Sequence, residues 1–358
     1  MKKYAFLYHP WDVPILYKMG IKEDSIEQKD LRFVEKTLEW LKPIRRTTAR
    51  IKSIQGNEVE CEMIMVPLTA EQILTLNPQI VLDKTIQAAQ LASDLGVELI
   101  GLGAYLSPVG RRGVLVSKAV NKPVTSGTTY TISTGIQATI KAAQTIGVDI
   151  KNAKITIIGA TGSIGKTCAS YLMGKVGHLV LSARNIERLN ILKEELEQIS
   201  SNTVVECNAV PREAVKNSDI VVISTSCPNT ILNISDFTEG CVVCDISVPH
   251  NISADDANKK DVLVVDGGIV QFPCEVDFHY LALPKGVGYA CLSEATILAL
   301  EGRFESFSCG GEISSDKITE INKLADKHGF KLANFKSFGQ IVDDATIERI
   351  IKARKNRK

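Results

Sequence analysis

Apolar positions along the chain follow two periods. Short runs at Tyr4–Tyr8, Val59–Val66 and Val97–Leu102 predict strands, and Glu71–Leu95 carries Ile73, Leu74, Ile80, Val81 and Ile86 at a spacing that predicts a single helix. Thr125-Ser126-Gly127-Thr128 supplies turn and N-cap chemistry for a helix to about Ile146, closed by Gly147. A regular series follows: strand Ile155–Ile158, helix Ser163–Gly174, strand Leu179–Ser182, helix Asn185–Ile199, then strands at Val204–Glu206, Asp219–Ser224, Cys241–Ile246 and Val262–Val265. Continuous apolar strands separated by helices predict an α/β fold whose parallel sheet is covered on both faces. From Pro284 the pattern is mostly helical. The expected organisation is an N-terminal α/β domain over residues 1–126, a nucleotide domain over 127–283 with its leading helix, and a C-terminal helical region over 284–358.

Composition adds exclusions. The length of 358 residues suits about two domains. Lys and Arg number 42 against 41 Asp and Glu, so a net charge of +1 offers no global field for nucleic acid. Six of the last ten residues are basic, which makes that tail, with Arg45, Arg46 and Arg50, a candidate docking surface for an acidic partner. No stretch approaches the roughly 20 apolar residues of a membrane span. Nine irregularly spaced cysteines without a secretory signal predict reduced thiols in a cytoplasmic protein. Cys241-Val-Val-Cys244 lies in a strand-like run with no second pair or nearby histidine, so strand packing is expected there and no metal.

Candidate chemistry begins at Lys154–Thr167, which reads KITIIGATGSIGKT. A buried strand ends at Gly159, and Gly159, Gly162 and Gly165 open a helix. Glycines there let the backbone turn and approach a pyrophosphate, which the free N–H groups of a helix N-terminus receive. Gly159, Thr161, Gly162, Ser163, Ile164 and Gly165 are therefore the expected cradle of a Rossmann-type, doubly wound sheet. A NAD site usually places a carboxylate at the end of the second strand. Here that strand ends Leu181-Ser182-Ala183-Arg184-Asn185, with Arg188 a turn later and no carboxylate before Glu187. Ser182, Arg184, Asn185 and Arg188 suit a 2′-phosphate instead, so the expected cofactor is NADPH. Thr225, Ser226 and Val248, at the carboxyl ends of later strands, are expected to face it.

A nicotinamide cofactor together with a reactive thiol points to thioester reduction through an acyl-enzyme. Cys291 has the most suitable local setting. It falls at the start of an apolar helix behind Gly286 and Gly288, where helix N–H groups would lower its pKa and could hold an oxyanion. Cys227, at a strand end near the expected nicotinamide, is the main competitor. Cys168 is expected inside a helix, Cys274 and Cys309 in loops, and Cys61 and Cys207 in or beside strands.

Several motifs carry a resemblance: IGATGSIGKT followed by LSARNIERL, Asp266-Gly267-Gly268-Ile269-Val270 with Cys274 and Asp277, Ala290-Cys291-x-x-Glu294-Ala295 with Glu301-Gly302, and His328-Gly329-Phe330. Over about residues 127–330 the chain resembles the long-chain acyl-[acyl-carrier-protein] reductases, NADPH enzymes that make fatty aldehydes. The resemblance implies that Cys291 carries the acyl group and that an acyl carrier protein or acyl-CoA presents it. Where that family reads Gly-Asn-Thr-His-Thr-Ala, this chain has Gly127-Thr128-Thr129-Tyr130-Thr131-Ile132, which makes Thr128 and Tyr130 candidate substrate residues. Asp245-Ile246-Ser247-Val248-Pro249-His250 is similar to glutamyl-tRNA reductase, and the Rossmann half to shikimate dehydrogenases, although no counterpart of their Lys–Asp pair is seen. His250, His279 and Tyr130 are candidate proton donors. Two other functions remain open, a shikimate-type NADP alcohol dehydrogenase without a covalent step and a non-catalytic NADP-binding redox sensor.

Overall fold

The computed structural model describes residues 1–12, 31–225, 231–246, 251–252, 260–278, 281, 283–311, 313–337 and 340–357. The chain forms two compact units, each assembled from separate segments. The first comprises Met1–Tyr130, Val270–Gly311 and Glu320–Lys331, and the second Thr131–Ile269, Glu312–Thr319 and Leu332–Lys358.

Alternation in the first strand organises the first unit. Strand β1 (Lys2–Tyr8) lies between β3 (Glu58–Met65) and β4 (Leu99–Leu102), parallel to both. β2 (Ile44–Lys52) pairs antiparallel with β3, and β5 (Val124–Thr125) completes a sheet of order β2-β3-β1-β4-β5. Side chains of successive residues point to opposite faces of a strand. Ala5 and Leu7 thus join Val81, Ala88 and Ala92 of helix Pro78–Asp94, while Tyr4, Phe6 and Tyr8 pack with Leu292, Ala295 and Leu298 of helix Ala290–Glu301. That second helix is buried nearly all round, and a Cβ on Gly101 would stand 2.9 Å from Ala295 Cβ. Burying both faces explains the apolar continuity of β1.

The helix expected over Glu71–Leu95 is two helices, Ala70–Thr75 and Pro78–Asp94. Pro78 lacks the N–H a continuous helix needs, and Asn77 caps the second helix by accepting from Gln79 N–H. Leu74 and Ile80, expected on the apolar face, are exposed. β2 was not anticipated, because its outward positions are basic. Arg45 pairs with Glu62, Arg50 with Glu60 and Lys52 with Glu58 across the strands. After Pro284, where a mostly helical run was expected, the described residues form helices Ala290–Glu301, Ser315–His328 and Asp344–Lys355 with short strands among them.

The second unit is the Rossmann-type sheet. β6 (Lys154–Ile158), β7 (His178–Ser182), β8 (Val204–Asn208), β9 (Ile220–Ile223), β10 (Val242–Asp245) and β11 (Leu263–Asp266) are all parallel, in the order β11-β10-β9-β6-β7-β8. The order reverses direction between β6 and β9, and in such sheets ligands bind outside the carboxyl ends of the strands at that point. Cys241 and Cys244 are buried in different hydrophobic clusters, on opposite faces of this sheet, so their spacing reflects strand packing. Among the described residues, no helix is long and apolar enough to cross a membrane.

Candidate functional site

The carboxyl ends of β6 and β9 meet in the second unit. Gly159, just past β6, has φ +82°, and a Cβ there would come within 2.7 Å of Ser224 O, just past β9. Its N–H and that of Ala160 donate to Ser182 O at the end of β7. A Cβ on Gly165 would lie 2.4 Å from Gly159 O, so helix Ser163–Leu172 can approach the turn only because that position is glycine. Gly162 occupies the N-cap position with no side-chain cap, which leaves this helix end to an external anion. Thr161, Ser163 and Ile164 line the same turn, half-buried.

Ser182 is fully buried, and its Oγ has no hydrogen-bond partner among the described residues. Arg184 and Arg188 are exposed and make no ion pair among the described residues. Asn185 Oδ1 accepts from Arg188 N–H and thereby caps helix Ile186–Glu197, so Asn185 is engaged with the backbone. A cradle that a Cβ would fill, an orphaned buried hydroxyl and two unpaired guanidiniums at the end of β7 fit a dinucleotide. Thr225 follows β9 as expected, whereas Ser226, Val248, Cys227, His250 and His279 lie outside the described residues.

Cys291 belongs to the first unit, as the second residue of helix Ala290–Glu301, whose N-cap Tyr289 supplies no side-chain hydrogen bond. It is half-buried. The backbone N–H groups of Ala104 and Leu292 donate to the sulfur. Gly127, at φ +72°, runs so close that a Cβ there would fall 2.2 Å from Cys291 Cα. One turn along, the buried Glu294 carboxylate accepts from Thr125 Oγ1 at 2.5 Å, from Tyr130 N–H at 2.9 Å, and from Gly127 N–H and Ser308. The helix that carries the thiol therefore also anchors the turn lying over it.

The expectation of an acidic Cys291 is corrected here. Burial pushes its thiol up to about 11, the N–H groups of Ala104, Leu292 and Cys291 itself oppose this, and the Glu294 carboxylate adds to it. A helix terminus contributes at most about 2 kcal/mol, and desolvation of the charged form outweighs it. The other thiols are less suited. Cys168 is fully buried in the Rossmann helix and pushed well up, Cys61 is raised to about 12 by burial, and Cys207 is raised for the same reason. Cys274 is half-buried and accepts from Lys52 N–H at 3.5 Å, and Cys309 is half-buried beside Ser308.

Thr128 is half-buried and shares a hydrogen bond with Ser126 Oγ at 2.7 Å. Tyr130 packs in the apolar cluster that contains Val270 and Phe272, and burial, with the Asp326 carboxylate, raises its phenol far above the ordinary range. A phenol in that setting is a poor proton donor at neutral pH. Glu301-Gly302 and His328-Gly329 form a structural joint. Gly302 ends the Cys291 helix in the left-handed conformation, and Glu301 bonds His328 Nε2 at 2.9 Å and Lys327 Nζ at 2.7 Å. Sequence reasoning missed Ala104 and His9. Their one local signal is position, at the ends of β4 and β1.

Residues 141–267 match the Shikimate / quinate 5-dehydrogenase family. The chain is 26% identical over 356 residues to the aminotransferase PigE of Serratia sp., covering 95% of this chain and 41% of that protein. It is 28% identical over 302 residues to a long-chain acyl-[acyl-carrier-protein] reductase of Synechococcus elongatus, covering 80% and 84% respectively. A glutamyl-tRNA reductase of Cyanophora paradoxa is 27% identical over 246 residues, 65% of this chain and 52% of that one. The chain thus spans about two-fifths of the first relative and most of the second. A dehydrogenase family match and two reductase relatives support an oxidoreductase with a nicotinamide cofactor.

Proposed function

We propose that the protein reduces a fatty acyl thioester, carried by acyl carrier protein or coenzyme A, to the aldehyde with NADPH through an acyl-enzyme at Cys291. The observation that carries this is the thiol itself, half-buried at an uncapped helix N-terminus, with Ala104 and Leu292 N–H groups directed at its sulfur. The Cys291 thiolate attacks the carbonyl carbon, the carbon–sulfur bond to the carrier breaks, and the carrier sulfur leaves to be protonated as a thiol. The cradle from Gly159 to Gly165, with Arg184 and Arg188, would hold NADPH, which would supply hydride to the carbonyl carbon of the Cys291 thioester. The Cys291 sulfur then leaves, releasing aldehyde. Throughout, the backbone donors stabilise negative charge on sulfur or on the carbonyl oxygen.

The test is intact-protein mass after mixing with acyl-CoAs of several lengths in the absence of NADPH. An added acyl mass that disappears with aldehyde formation when NADPH is supplied is the expected result. The absence of any adduct, with NADPH-dependent alcohol oxidation surviving thiol alkylation, would favour the shikimate-type dehydrogenase. The family match supports that second reading, although it is confined to residues 141–267 of the nucleotide unit.

Replacing both Arg184 and Arg188 by Ala is expected to raise KM for NADPH by roughly 100-fold or more while leaving NADH almost unaffected, since each hydrogen bond to a charged group contributes about 1.5–3 kcal/mol. Equal loss with both cofactors would rule out recognition of the 2′-phosphate. An acidic carrier would meet exposed Lys352 and Lys355, because Arg354 and Arg357 are paired with Asp219 and Arg349 with Asp261.

A further inference from the structure

Ala104 is one of the few non-glycine residues with a left-handed backbone, at φ +45°. It follows β4 and opens the short turn Ala104–Leu106, is itself exposed, and sends its N–H to Cys291 Sγ. An alanine leaves that conformation unless its neighbours hold it. On one side, Gly103 N–H donates to Leu7 O at 2.9 Å. On the other, Tyr105 N–H donates to Nε2 of His9, at 3.3 Å, and Ser107 N–H closes the turn on Ala104 O at 3.0 Å.

The geometry around His9 determines its tautomer. Nδ1 lies 2.9 Å from Pro10 O, a carbonyl that can only accept, so Nδ1 carries the hydrogen and Nε2 presents the lone pair that Tyr105 N–H requires. The ring is fixed further by Trp11, stacked at 6.2 Å, and by Tyr105, edge-on at 5.5 Å. Burial lowers its pKa to about 4, which keeps the lone pair available at neutral pH.

We propose that His9 is a positioning residue: it holds the Ala104–Tyr105 peptide so that Ala104 N–H stays directed at Cys291 Sγ and stabilises the thiolate. This rests on Cys291 being the nucleophile. His9 acts through the backbone, by its bonds to Pro10 O and Tyr105 N–H. The charged side chain acting on the thiol among the described residues is Glu294, which opposes ionisation and leaves the backbone donors as its counterweight.

Two substitutions separate the ring nitrogens. His9→Asn keeps an amide donor toward Pro10 O but is too short to accept from Tyr105, whereas His9→Gln can place an acceptor where Nε2 stands. The measurement is the rate at which iodoacetamide alkylates Cys291, with loss of iodide, followed by peptide mass across pH 7–10, with thermal unfolding of each variant as the check on folding. Loss of one backbone donor to an anionic sulfur is expected to slow alkylation in His9→Asn by roughly tenfold at constant pH. His9→Gln is expected to recover most of the wild-type rate. A purely structural role predicts the opposite sign, since loosening the site would expose the thiol and speed alkylation. An unchanged or faster His9→Asn, or equal slowing in both variants, would overturn the proposal. The assay uses no thioester, so a failure of the alkylation prediction and a failure of the wild type to take up an acyl group are separate, distinguishable results.

Discussion

Replacing Cys291 by Ala is expected to abolish the acyl adduct and to lower NADPH-dependent thioester reduction by about ten-thousandfold or more, the scale on which loss of a covalent nucleophile acts. NADPH affinity should be unchanged, because the cradle at Gly159–Gly165 belongs to the other unit. The pH profile of the wild type gives an independent check. With the thiol pushed up to about 11, it is protonated at neutral pH and only its thiolate attacks. Acylation of the substrate-free protein should therefore accelerate about tenfold per pH unit from pH 7 towards 10. Full activity of Cys291→Ala, or a rate flat above pH 8, would contradict the assignment.

Glu294→Ala is expected to be among the most destabilising single changes in the first unit. It would leave Thr125 Oγ1, Ser308 and the N–H groups of Gly127 and Tyr130 without their buried acceptor. Each buried donor left unsatisfied costs about 1–3 kcal/mol, and thermal or denaturant unfolding would measure the sum. Glu294→Gln should cost less but still lose bonds, because an amide nitrogen would face a backbone donor. The pH dependence has a definite sign. Burial raises this carboxyl, and its four donors only partly offset the rise, so the unfolded chain releases the proton first. The contribution of Glu294 to stability is complete below the ordinary carboxylate pKa and declines as pH rises through the higher folded-state value. Glu294→Gln should lack that decline. A wild-type stability that rose relative to Glu294→Gln over this range would refute the sign. Loss of acylation in Glu294→Ala should accompany loss of folding, because the carboxylate holds the Gly127 turn that lies over Cys291.

Where structure depended on neighbours in sequence, it could be read in advance. The glycines of the β6 turn answer to clashes within a few residues, as Gly165 against Gly159 O shows, and the strand, turn and helix around them confirm one another locally. The absence of a carboxylate after β7 and the two arginines beside it are equally local. The helix break at Asn77-Pro78 was also written in the chain, but apolar spacing masked a proline that removes a donor. β2 escaped because its alternation is short, Ala49 and Ile51 buried beside exposed Arg50 and Lys52, and its arginines find their partners Glu62 and Glu60 on another strand.

The start of the Cys291 helix was legible by itself, and so was its favourable end for an anion. The acidity of the thiol was not, because desolvation is set by everything packed around the sulfur, and those atoms arrive from distant segments. Gly127, Ala104 and Glu294 converge on it through β5, β4 and a helix buried against Tyr4 and Phe6. His9 illustrates the same limit, a histidine whose lone pair acquires a purpose only when the end of β1 lies beside the turn after β4. Sequence alone determined the parallel sheet, its nucleotide turn and the position of the thiol on a helix, because steric and hydrogen-bonding demands within a few residues enforce them. Tertiary structure alone decided what surrounds the thiol, since burial and the direction of a backbone N–H belong to packed neighbours and to no single stretch of chain.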